Sequence, residues 1–128
     1  MNTLQKRYAA TAALVDVLKE EEKEIEQEVI KEMYLTDESG TLINTLYVID
    51  DESLFKEACD LLENKLAAVR YTARLGKALE EKSKAAEALI EWSLKMLEAV
   101  HPNEAKILKE NSKRYTTRQK LIEIAMKI

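Results

Sequence analysis

Leu4, Tyr8, Thr11, Val15, Leu18, Glu22, Ile25, Val29 and Met33 follow one another at steps of three or four residues. In an α-helix such steps fall on one face and form an a/d-like seam, here about four heptads long and interrupted at Glu22. Ala12, Leu14, Val17 and Ile30 widen the apolar face, and acidic residues from Glu20 to Glu32 dominate the outside. Asn2 or Thr3 supplies an N-cap oxygen. The 128 residues hold only two glycines and one proline, so little interrupts a helix once it has started. The spacing predicts helix 1 over 3–32.

The stretch Leu35–Ser53, LTDESGTLINTLYVIDDES, departs from that repeat. Met33–Thr36 suits a short strand. Asp37-Glu38-Ser39-Gly40 is a turn: Asp bonds the backbone ahead of it and Gly tolerates positive φ. Thr41–Ile49 alternates in two rows, and Ile43, Thr45, Tyr47 and Ile49 form the more β-prone one. A β-hairpin over 33–49 is the expectation. A short helix is the competing one, because Leu42, Ile43, Leu46, Tyr47 and Ile49 also fit a 3.6-residue repeat.

Asp50-Asp51-Glu52-Ser53 is a helix start, with acids where the helix dipole favours them. The helical pattern then continues, giving helix 2 over 52–100. One stripe on it runs Leu62, Val69, Ala73, Gly76, Leu79, Ser83, Ala86, Ile90, Ser93, Leu97, Val100. Its small residues invite close approach of another helix. Pro102 drives His101 out of the α region and fits a first helical turn, so helix 3 covers 102–127. Its polar middle, at Asn111-Ser112 and Thr116-Thr117, is expected to pack less well. The predicted fold is mainly α: an elongated helical bundle or antiparallel coiled coil of three long helices, with a β-hairpin between helices 1 and 2, in one domain of 1–128.

The composition excludes several functions. The one cysteine, Cys59, cannot form an internal disulfide, and a reducing compartment, the cytoplasm, is the default. The N-terminus lacks the apolar core of a signal peptide, and no apolar run approaches the ~18 residues of a membrane span. Aromatics at 5% argue against a base-stacking platform. A single histidine rules out zinc-finger clusters, and no serine sits in a nucleophile elbow. Glu98-Ala-Val-His101 is a lone Glu-x-x-His where a di-iron bundle needs two. No catalytic residue and no cofactor are expected.

Charge is uneven. Residues 35–64 hold 1 basic and 8 acidic side chains, net −7, whereas residues 103–128 hold 7 basic and 3 acidic, net +4. The two regions can attract each other, within or between chains, or the basic end can meet an anionic partner. Lys106, Lys109, Lys113, Arg114, Arg118 and Lys120 surround Tyr115 there and are candidates for phosphate contacts, hence for nucleic acid.

On the acidic side, Glu20-Glu21-Glu22-Lys23-Glu24 fits Glu-Glu-x-x-Glu, and Glu57-Ala58-Cys59-Asp60 fits Glu-x-x-Asp. The pair resembles the Mg²⁺-binding signature of the all-α MazG-like nucleoside triphosphate pyrophosphohydrolases. The resemblance implies that Glu20, Glu21, Glu24, Glu57 and Asp60 hold the metal. In outline, the helix–hairpin–helix order is similar to β-type prefoldin subunits, whose hairpins join chains into an oligomer.

One thin bundle buries one stripe per helix and leaves Leu14, Val17, Ile30, Leu75, Leu89, Leu94, Ile107, Leu121 and Ile124 in need of cover. The first reading is therefore a non-enzymatic interaction or assembly protein that forms a homo-oligomer, with Ala73, Gly76, Ile43 and Tyr47 as self-association candidates and another protein as partner. It would serve as a scaffold, adaptor or inhibitor, in the style of small phage and mobile-element proteins. The Mg²⁺-dependent hydrolase is the alternative, and nucleic-acid binding through the basic end the second alternative.

Overall fold

A computed structural model describes every residue from Met1 to Ile128. Five α-helices form: α1 (Thr3–Glu32), α2 (Glu52–Ala68), α3 (Tyr71–Val100), α4 (Pro102–Glu110) and α5 (Tyr115–Lys127). There are no strands. The mainly α expectation holds, but three long helices with a hairpin do not.

α1 starts on a reciprocal capping box. Asn2 Oδ1 accepts from the Gln5 N–H at 2.9 Å, and Gln5 Oε1 accepts from the Asn2 N–H at 2.8 Å. It stops without glycine or proline. Tyr34 adopts φ 51°, the Tyr34 N–H bonds Lys31 O, and the Leu35 N–H bonds Ile30 O. That is a Schellman cap with tyrosine in the left-handed position.

The expected turn forms, but the strands do not. Asp37 Oδ1 accepts from the Ser39 and Thr41 N–H groups and from the Ser39 hydroxyl, while Gly40 takes φ 82°. A single antiparallel bridge, Thr36 to Leu42, follows, and Leu46–Val48 coils into one 3₁₀ turn. Packing explains the correction. Ile43, Leu46 and Ile49, three apart, all pack into the same apolar cluster. A strand would send Ile43 and Leu46 to opposite faces. A lone two-stranded hairpin is also marginal in water, so burial of these three wins over pairing.

The predicted helix over 52–100 is broken as well. α2 starts where expected, with Asp51 Oδ1 accepting from the Leu54 N–H at 2.9 Å. It ends at Ala68 with Val69 as its C-cap, and Arg70 takes φ 54°. α3 restarts in a new phase that buries Tyr71, Ala78, Ala85 and Leu89. In the predicted stripe, Val69, Ala73, Gly76 and Leu79 are exposed instead, whereas Ala86, Ile90 and Ser93 are buried. Gly76 neither kinks α3 nor admits a neighbour: a Cβ built on it would meet nothing within 4 Å.

The predicted helix over 102–127 splits at its polar middle. The Asn111 side-chain amide donates to Ile107 O, and the N–H groups of Ser112 and Arg114 bond Lys109 O and Asn111 O. These local bonds satisfy the backbone in a turn as well as a helix would. His101 takes φ −135° ahead of Pro102, as the proline requires.

The chain packs as two compact units. In the unit of residues 1–14 and 78–128, Ala86, Leu89 and Ile90 of α3 meet Leu121, Ile122 and Ala125 of α5, with Leu4 and Tyr8 of α1 against them. Gln5 is buried there, and its Nε2 donates to Ala125 O at 2.7 Å. In the unit of residues 15–77, Val29 and Ile30 of α1 meet Leu35 and Leu46 of the connecting segment and Ala58 of α2. Each fully buried Leu or Ile side chain contributes about 1.5–3 kcal/mol by leaving water.

Candidate functional site

The acidic face of α1 is engaged by α3. Arg74 forks onto Glu21, Nη1 to Oε1 and Nη2 to Oε2, both at 2.9 Å. The guanidinium bonds hold the Glu21 carboxyl below the usual carboxylate range. One helical step away, the Tyr71 hydroxyl donates to Glu22 Oε2 at 2.9 Å. Burial, and then the Glu22 carboxylate, push the phenol up to about 12. The flaw in the α1 seam at Glu22 is thus where a buried tyrosine meets its acceptor.

The five carboxylates implied as Mg²⁺ ligands are placed as follows. Glu21 spends both oxygens on Arg74, and exposed Glu20 pairs with Lys23 at 3.3 Å. Glu24, Glu57 and Asp60 are exposed on α1 and α2. Nowhere do three or more His, Cys, Asp or Glu side chains gather so as to hold a metal ion. Burial, and then the charges of Glu63, Asp60 and Glu26, push the Cys59 thiol up, which disfavours the nucleophilic thiolate. His101 is exposed at the start of α4, and its side chain does not cap the helix.

The six basic candidates divide. Arg118 is half-buried and pairs with Glu87. Lys106 and Lys109 line a groove of about 470 Å³ between α3 and α4, together with Lys95, Glu91 and Glu98. Lys113, Arg114 and Lys120 are exposed and have no acidic partner, and Tyr115 beside them is 75% exposed.

The self-association candidates also divide. Ala73 and Gly76 lie on an exposed face of α3, and Ile43 is half-buried in the apolar cluster. Tyr47 is 85% exposed and tilts against Phe55 at 6.4 Å between ring centroids. Tyr47 stands in the segment that bounds a second groove, of about 560 Å³, lined by residues of 33–54 alone. Tyr34, Val48 and Leu54 give that groove an exposed apolar wall. Four carboxylates rim it, and no basic residue lines it. Sequence reasoning missed this site. The available signal was the set of apolar residues that fall between the acids of 37–38 and 50–52.

Comparison of the chain with family models, curated proteins and solved structures finds no match. No helix is long and apolar enough to cross a membrane. What the geometry offers is a concave surface of mixed apolar and acidic residues under a negative field, suited to holding a cationic, apolar-anchored segment.

Proposed function

We propose that this chain is a non-enzymatic helical interaction protein that works as a homo-oligomer, as a scaffold, adaptor or inhibitor of another macromolecule in a reducing cytoplasm. The observation that carries the reading is the set of large apolar side chains left in water on the groove of residues 33–54, Tyr34, Val48 and Leu54, with Tyr47 exposed in the same segment. Scattered apolar residues are normal on any surface, but a contiguous apolar patch with a polar rim marks an interaction site. Leu14 and Val17 add exposed apolar surface on α1. The lone thiol is consistent with the compartment.

Light scattering of the eluting protein at micromolar concentration tests the reading. A mass that is a multiple of the 14.7 kDa chain supports it. A monomer at every concentration refutes it.

A further inference from the structure

We propose that the groove of residues 33–54 receives the basic segment Lys113–Lys120 of a second copy of this chain, with Tyr115 as the apolar anchor. The proposal rests on the homo-oligomer reading above and names its surfaces.

Charge complementarity selects the occupant. Asp37, Glu38, Asp50 and Asp51 rim the groove. Asp37 is used in its own turn and Asp51 caps α2, but Glu38 and Asp50 have no hydrogen-bond or ionic partner. The field there has no cation within the groove to balance it. Lys113, Arg114 and Lys120 are the matching surplus, exposed and without acids, on the part of the chain that carries net +4.

The anchor is of the right kind. Tyrosine and arginine are the side chains that most often dominate an interface, and here they are adjacent and in water. Arg114 and Tyr115 open α5, and neither side chain makes a hydrogen bond or ion pair, so docking sacrifices nothing in the free chain. The groove of α3 and α4 is a weaker candidate because three lysines and two glutamates line it, which leaves no negative surplus to attract a basic segment. The contact joins two different surfaces, so it is heterologous. Repeated, it closes a ring or grows a filament.

Sedimentation velocity of the intact chain tests this with two variants, Glu38→Lys/Asp50→Lys in the groove and Arg114→Glu/Tyr115→Ala in the segment. All four side chains are exposed, and circular dichroism confirms that both variants fold. The wild type is expected to self-associate and to weaken as salt rises from about 0.01 M to about 1 M, where the Debye length falls from roughly 30 Å to 3 Å. Each variant alone should raise the self-dissociation constant by at least about tenfold. An equal mixture should form dimers and stop there, because one variant keeps the segment and the other keeps the groove. Self-association that neither variant weakens overturns this docking and leaves the homo-oligomer reading intact. A monomeric wild type overturns both. An added oligonucleotide that a monomeric wild type binds and the segment variant does not would assign the basic segment to nucleic acid instead.

Discussion

Tyr71 offers a sharp test of how the unit of residues 15–77 is held. The residue is 4% exposed, and its hydroxyl donates to Glu22. Tyr71→Phe removes only that bond. A hydrogen bond to a charged acceptor contributes about 1.5–3 kcal/mol, but Glu22 is exposed and rehydrates, so the loss should be about 1 kcal/mol. For a domain of this size that lowers the melting temperature by roughly 3–5 °C. Tyr71→Ala also removes the buried ring and should cost about 3–5 kcal/mol.

The same site predicts an alkaline dependence. The phenol is raised from 10 to about 12 by folding. The folded state therefore holds this proton more tightly than the unfolded state. Ionising the phenol costs the folded state nothing below pH 10 and progressively more as pH rises from 10 towards 12, at up to about 1.4 kcal/mol per pH unit, mostly because burial disfavours the charged form. Tyrosinate absorbance checks this directly. A late-ionising fraction of the tyrosine signal is expected, and it should vanish in Tyr71→Phe. If the wild type shows no late-ionising tyrosine, or if Tyr71→Phe and Tyr71→Ala cost the same, this reading of the Tyr71 contact is refuted.

Three further outcomes follow from single residues. Ser93 is fully buried and its hydroxyl has no partner, so Ser93→Ala should stabilise the chain by up to about 1 kcal/mol in urea unfolding. Arg70 occupies a left-handed conformation between α2 and α3, and Arg70→Gly should gain about 1 kcal/mol by the same measurement. Gln5 is buried with its amide on Ala125 O, and Gln5→Ala should cost about 1–3 kcal/mol by leaving that carbonyl unsatisfied.

What the sequence made legible and what it hid have physical causes. The seam from Leu4 to Met33 declared α1 because a period near 3.6 over thirty residues has no other reading. Asn2, Asp51 and the Asp37–Gly40 turn were legible because capping and turn chemistry is local. The break at Arg70 was not, because a left-handed arginine between two helical stretches leaves no local signal, and the acceptor that Tyr71 meets just after it is distant in sequence. The alternation of residues 41–49 was real, but tertiary packing of Ile43, Leu46 and Ile49 overrode it. The site was half legible. The acidic tract of 35–64 and the basic end stood out in the sequence, while the groove between the acids is a product of the fold.

Amide hydrogen exchange at rising protein concentration tests the central claim most directly. Slowing confined to the groove segment of residues 33–54 and to residues 111–120 is the predicted result, because those surfaces would cover each other only when copies meet. Exchange in both segments that stays the same from dilute to concentrated solution would contradict it.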